Sequence, residues 1–182
     1  MSPIRSRYIG AYYIRNAIGL AQAVHYAGDC KLQRMIRPAQ FDDLSAILAI
    51  EQSAPTAAHW SDAVYQAILD GEERRTLLVA EEAGQIAGFA VAASAGVEWE
   101  LENIVVPDAF RGRGIGAQLL QALVNLAQAA GAEELHAEIR ESNPAIKNFY
   151  SRVGFKEVGR RTKYYALPPE DAILMRLLIS RP

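Results

Sequence analysis

Residues 105–116 read Val-Val-Pro-Asp-Ala-Phe-Arg-Gly-Arg-Gly-Ile-Gly, and no other stretch limits the fold of the 182-residue chain so strongly. An apolar, β-branched run (Ile104, Val105, Val106) ends at Pro107, as a strand would. A glycine-rich turn follows. A long helix then starts near Ile115, runs to about Ala130 and is stopped by Gly131. Backbone N–H groups at such a helix start form an anion cradle, and the helix dipole adds partial positive charge. Glycine lets a ligand approach the backbone closely. Arg111 and Arg113 add formal charge, so a pyrophosphate fits. Two familiar phosphate loops are excluded. The segment lacks the Gly-Lys-Ser/Thr ending of a P-loop, and its glycine spacing is not that of the dinucleotide fingerprint. The competing reading is a glycine-rich turn with no ligand.

The remainder of the chain supplies one domain of mixed α and β structure. A short strand at Ile36–Arg37 closes at Pro38. A helix capped by Asp42 runs to about Ser53, with Leu44, Ile47, Leu48 and Ile50 in helical spacing. Ser61 caps a second helix that ends near Leu69. Thr76–Glu82 and Ile86–Ala95 read as strands joined by a hairpin turn at Ala83-Gly84-Gln85. The second of these is small and apolar, as a strand buried on both faces would be. Glu98–Val106 and Glu134–Arg140 are further strands. Asn143-Pro144 starts a helix that ends at Gly154, with Asn as cap and Pro at the first position. Phe155–Lys163 and Ala172–Ile179 are the last strands, joined by a loop containing Pro168-Pro169.

Charge divides the chain unevenly. Residues 1–34 carry five basic side chains (Arg5, Arg7, Arg15, Lys31, Arg34) against one acid, Asp29. They read as a basic N-terminal extension with a helix from about Ala11 to Tyr26, ahead of a domain over 35–182. The composition resembles a transit peptide, and a start codon placed too early explains it equally well. The body is acidic and the whole chain carries a net charge of −2, which argues against nucleic acid as a partner. No apolar run reaches the length a membrane span needs. The single cysteine, Cys30, and the scattered His25, His59 and His136 make a metal site unexpected. A reducing, cytoplasmic compartment fits this cysteine usage.

Arg111-x-x-Gly114-x-Gly116 after an apolar strand resembles the acetyl-CoA loop of the GNAT acetyltransferases. A second match follows in order: Asn143-Pro144-Ala145-Ile146-Lys147-Asn148-Phe149-Tyr150, then Val153-Gly154-Phe155. The resemblance extends from about Ile36 to Ile179. Within the superfamily the chain is most similar to RimI-type enzymes, which acetylate the N-terminal alanine of a small-subunit ribosomal protein. Glu51 with Trp60-Ser61 carries this likeness, as do His136-Ala137-Glu138-Ile139-Arg140, Arg161-Thr162-Lys163-Tyr164-Tyr165 and Glu170-Asp171-Ala172-Ile173-Leu174-Met175. His59 departs from the pattern, which usually has proline before the tryptophan.

The resemblance implies an α/β fold: a central, mostly antiparallel sheet, splayed at the acetyl-CoA site and flanked by helices. It implies acetyl-CoA as cosubstrate and a protein with a free N-terminus as acceptor. Glu138 becomes the expected general base, sharing a strand face with His136 and Arg140; its competing reading is a carboxylate paired with Arg140 or another cation. Glu100 is the rival base, on a face with Glu98 and Glu102. Tyr150 becomes the general acid; Ile146, Phe149, Tyr150 and Val153 form one helical stripe, so a core tyrosine is the alternative. Ile104, Val105 and Val106 are expected to bind the pantetheine arm through their backbone. Arg111, Gly112, Arg113, Gly114, Ile115, Gly116 and Ala117 would hold the pyrophosphate, and Asn143 would cap its helix and touch the cofactor. Trp60, Glu100, Tyr164 and Tyr165 would line the acceptor site. The alternatives are acetylation of a small amine, such as a polyamine or antibiotic, and a non-catalytic acetyl-CoA-binding regulator.

Overall fold

The computed structural model describes residues 24–26, 34–55, 57–71 and 74–180. Among the described residues, eight strands form one sheet: β1 (Val24–Tyr26), β2 (Arg34–Pro38), β3 (Arg75–Glu82), β4 (Gln85–Ala95), β5 (Glu98–Val105), β6 (Glu134–Arg140), β7 (Lys156–Ala166) and β8 (Pro169–Leu178). Their spatial order is β1-β2-β3-β4-β5-β6-β8-β7. Only β5 and β6 pair in parallel; every other pair is antiparallel. The described residues also form four α-helices: α1 (Leu44–Ser53), α2 (Asp62–Asp70), α3 (Ile115–Ala129) and α4 (Pro144–Arg152).

Strand alternation sorts the core into two layers. Leu78, Ala80, Ala90 and Ala92 join α3 and α4 on one face. Leu77, Val79, Phe89 and Val91 join α1 and α2 on the other. Strand β4 is therefore buried on both faces, as its small apolar composition predicts. Each large side chain sealed here, such as Leu123 or Phe89, contributes roughly 1.5–3 kcal/mol by leaving water.

Several boundaries differ from the sequence expectation for identifiable reasons. The helix expected from Ala11 falls mostly outside the described residues, and its expected end, Val24–Tyr26, is instead a strand paired with β2. Valine and tyrosine suit a pleated edge, and β2 offers them hydrogen bonds there. Asp42 does not cap the first helix. A 3-10 turn, Phe41–Asp43, precedes α1, and Asp43 closes it by accepting from the Gln40 amide at 2.7 Å and from both Arg37 terminal nitrogens. Ser61 stands at the start of α2, but its carbonyl rather than its hydroxyl accepts the Val64 amide, at 3.1 Å. The loop expected at Pro168-Pro169 is shortened to a two-residue turn, Leu167-Pro168. Strand β7 runs to Ala166 and β8 begins at Pro169, where a strand's first residue tolerates a missing N–H.

Gly88 sits where β4 meets the end of β5. A Cβ there would lie 2.8 Å from the Val105 carbonyl oxygen and 3.2 Å from Val106 Cγ2. Gly88→Ala must therefore push β5 away from β4. Chemical denaturation should show a loss of about 1–3 kcal/mol; an unchanged midpoint would mean that the close approach is not required.

Candidate functional site

The site begins where β5 and β6 part. Their parallel pairing runs from Glu98↔Glu134 to Leu101↔Ala137 and stops there, although β5 continues to Val105 and β6 to Arg140. Beyond that point β5 pairs only with β4, and β6 only with β8. The β6-facing edge of residues 102–105 has no strand partner. This is the splay that the family resemblance implies.

A β-bulge marks the same place. Ala92 pairs with Leu101 while Val91 pairs with Asn103, leaving Glu102 as the extra residue. A bulge changes which face later side chains occupy. Before it, Trp99 and Leu101 pack against α3; after it, Val105 packs against α1 and α2, while Ile104 and Val106 turn to the α3 side. Asn103 consequently points into the α1/α2 layer, where it is buried.

A buried carboxylate receives it. Glu51 is only 2% exposed, and its Oε1 accepts from Asn103 Nδ2 at 2.9 Å and from the Trp60 amide at 3.3 Å. The Tyr65 hydroxyl also bonds to Glu51. One acid thus ties α1, the Trp60 loop, α2 and the bulge together. Asn103 and Tyr65 were not among the residues the sequence pointed to. A signal existed in Glu51 itself, an acid four residues after Ile47 on the buried face of an apolar helix.

At the far end of β5, a 3-10 turn (Asp108–Phe110) leads through Gly112 and Gly114 into α3. Both glycines are left-handed, with φ of 75° and 79°, and a Cβ on either would meet nothing within 4 Å. Glycine is needed there for the backbone angle, not for space. Gly114 is the N-cap and no side chain caps the first turn, so the leading amides of Ile115, Gly116 and Ala117 lack the usual internal acceptor. The two arginines take different roles. Arg111 stays exposed, pairs with Asp108 at 2.6 Å and donates to the Val106 carbonyl at 3.0 Å. Arg113 turns inward to Glu82 at 2.9 Å and to the Ala109 carbonyl at 2.8 Å. Arg34 binds the same Glu82 carboxylate and reaches the Arg113 carbonyl at 2.9 Å. Glu82, on β3, thereby clamps the loop to the sheet; hydrogen bonds from Arg34 and then Arg113 hold its carboxyl below the ordinary carboxylate range.

At the opposite end of the gap the structure gathers acids and aromatics. Glu100 lies beside His136 in register. Burial, then the Glu138 and Glu102 charges, push the Glu100 carboxyl up. Glu138 accepts from Arg161 at 2.7 Å, not from Arg140. Tyr164 also hydrogen-bonds Glu138, and this raises the phenol. Arg140 instead holds Glu170 at 3.2 Å and lies over the Tyr165 ring at 4.1 Å. Tyr164 and Tyr165 meet edge to face, 5.2 Å apart. Glu102 pairs with Arg75, which lies over the Trp60 ring at 5.3 Å. Glu100, Glu138, Tyr164 and Tyr165 are therefore neighbours, and Trp60 is linked to them only through Arg75 and Glu102.

Helix α4 carries the remaining candidate residues. Asn143 caps it, accepting from the Ile146 amide at 3.1 Å. Tyr150 is 4% exposed, between Phe149 and Phe155, and burial raises its phenol. Among the described residues, no three His, Cys, Asp or Glu side chains are grouped to hold a metal ion, and no helix is long and apolar enough to cross a membrane.

The buried acids make two consequences measurable. Glu51→Ala strands the Asn103 and Trp60 donors in the core and should cost about 3 kcal/mol in urea denaturation. Glu82 has a depressed carboxyl, so its contribution is present above the unfolded pKa and lost as pH falls through the folded one. Glu82→Gln should flatten the fall in stability below about pH 4; an acid-unfolding profile parallel to wild type would contradict the clamp.

Comparison with known proteins places this geometry. The Acetyltransferase (GNAT) family matches residues 41–155. The [Ribosomal protein bS18]-alanine N-acetyltransferase of Salmonella typhimurium is 36% identical over 140 residues, covering 76% of this chain and 93% of the relative. The protein of the same name from Haemophilus ducreyi is 32% identical over 149 residues, covering 80% and 100%. The crystal structure of the ribosomal-protein-S18-alanine N-acetyltransferase from Escherichia coli superposes with a TM-score of 0.73 at 32% identity, covering 82% of this chain and 96% of that one. The loop, the parted strands and these matches agree: the chain belongs to the GNAT acetyltransferase family.

Proposed function

We propose that this protein transfers acetyl from acetyl-CoA to the α-amino group of a protein, with the N-terminal alanine of a small-subunit ribosomal protein as the substrate. The observation that carries this reading is the surface beside the point where β5 and β6 part, where Glu100, Glu138, Arg161, Tyr164 and Tyr165 converge. A peptide N-terminus is a cation on a slender chain. Two carboxylates and two aromatic rings suit it.

The residues present fit the cosubstrate. The uncapped first turn of α3 and the left-handed Gly112 and Gly114 offer amides to a pyrophosphate, with Arg111 exposed beside them. The edge of Ile104 and Val105 that faces away from β4 has no strand partner and offers main-chain groups to a pantetheine arm, with Val106 beside it already bound through its carbonyl to Arg111. Asn143, which caps α4 just after β6 ends, is the further cofactor contact of this reading. When bound, acetyl-CoA supplies the acetyl thioester.

Each residue role follows from environment. An unperturbed α-amino group titrates at about 7.7–8.0 and must lose a proton before it attacks. Glu138 takes that proton, directly or through water. Its bond to Arg161 is no obstacle: Arg161 is more than half exposed, and such pairs are worth about 1 kcal/mol or less. Glu100, whose carboxyl is raised by burial and by the neighbouring Glu138 and Glu102 charges, is the rival base. A β5 amide polarises the thioester carbonyl. The new C–N bond forms as the C–S bond breaks, and the Tyr150 hydroxyl protonates the departing sulfur. Burial keeps that phenol protonated at neutral pH, as a donor requires. Trp60 walls the acceptor pocket. The enzyme works in the cytoplasm, without metal, nucleic acid or membrane.

The test is acetyl-CoA turnover against a peptide panel, with the acetyl group placed by mass spectrometry. Acetyl on a free N-terminal alanine, and none on an N-blocked peptide with an internal lysine, is expected. Transfer only to a polyamine would overturn the acceptor assignment. Tyr150→Phe should lower turnover roughly 10²-fold or more while acetyl-CoA binding holds. Glu138→Gln should lower the rate at neutral pH; if Glu100→Gln does this instead, the base is Glu100.

A further inference from the structure

Arg161 and Tyr164 reach the same carboxylate, although residues three apart on a regular strand point to opposite faces. The pairing of β7 with β8 shows how. Arg161 opposes Ala172 and Tyr165 opposes Glu170, so Thr162, Lys163 and Tyr164 all stand against the single residue Asp171. The extra chain bends at Lys163, whose φ of 52° is left-handed. A lysine there carries strain that something must offset.

Asp171 is placed to offset it. Its Oδ1 accepts from the Lys163 amide at 2.8 Å. Its own carbonyl accepts from the Glu141 amide at 3.1 Å, which anchors it to the end of β6, the strand that carries Glu138. Glu170, its neighbour, accepts from the Ser142 amide and from Arg140 and fixes the hairpin tip from the other side. Nothing in the proposed chemistry uses Asp171.

We propose that Asp171 is a positioning residue: it holds the Lys163 bulge in its left-handed form, and the bulge turns Tyr164 onto Glu138 to build the acceptor site. The effect on peptide kinetics rests on the function proposed above. The effect on Tyr164 does not.

Two readouts separate the two. The first is ionisation of Tyr164, followed by ultraviolet difference absorbance of each protein against its Tyr164→Phe counterpart. Asp171→Ala should move the phenol down from its raised value toward that of a free tyrosine. Asp171→Asn keeps an acceptor oxygen and should keep the wild-type titration. Lys163→Gly adopts the left-handed angle without help, so the double variant Asp171→Ala with Lys163→Gly should restore it. The second is kinetics. Asp171→Ala should raise peptide KM roughly fivefold or more, the scale of one lost hydrogen bond, with acetyl-CoA affinity unchanged and recovery in the double variant. If Asp171→Ala does not fold, Lys163→Pro removes the same N–H and forbids the same angle, and it should give the same two changes. A wild-type Tyr164 titration in Asp171→Ala or Lys163→Pro overturns the proposal, as does a defect that Lys163→Gly fails to correct. If wild type acetylates no peptide, the function fails while the titration still decides the role of Asp171.

Discussion

Everything chemical in this molecule depends on two strands that stop pairing. Strands β5 and β6 are joined through Leu101 and Ala137 and then separate, while β4 and β8 keep them hydrogen-bonded on their outer edges. An open strand edge inside a sheet is normally a liability, because backbone groups without partners are costly to bury. Here the gap lies between a helix start poor in internal acceptors and a cluster of acids and tyrosines. In the proposed function the exposed edge serves as the binding surface for acetyl-CoA.

Three devices hold the gap's margins, and each is a polar contact between distant parts of the chain. Glu82 ties the glycine loop to β2 and β3 through Arg34 and Arg113. Glu51 ties the Trp60 loop to the β5 bulge through Asn103. The Arg140–Glu170 pair and the Asp171 contact to Lys163 shape the β7–β8 hairpin beside Glu138. Burial makes the first two strong in their consequences: removing one partner leaves the other without water or an acceptor. The third is more exposed and acts through backbone angle.

Local signals were legible in the sequence, and long-range ones were not. The glycine turn into α3, the small residues of β4 and the Asn143-Pro144 helix start are each set by a few adjacent residues, and each appears where expected. The bulges at Glu102 and Lys163 leave no compositional mark, because an added residue only shifts register. Arg113 looked like a phosphate ligand by its place in the loop. Its partner, Glu82, lies 31 residues away, and only the fold brings them together. The acids on β5 and β6 could be named as candidates from alternation. Which of them meets Arg161, and which is left with a raised carboxyl, depends on how β5, β6 and β7 come together in the sheet.

The central claim is that the parted edge of β5 and the start of α3 together receive acetyl-CoA. Amide hydrogen exchange with and without acetyl-CoA tests it directly, since the bound ligand would occupy groups that no strand partner now holds. The account predicts slowed exchange at residues 102–106 and 112–117, with β1 through β3 unchanged. Tight binding with no protection at 102–106 would contradict it.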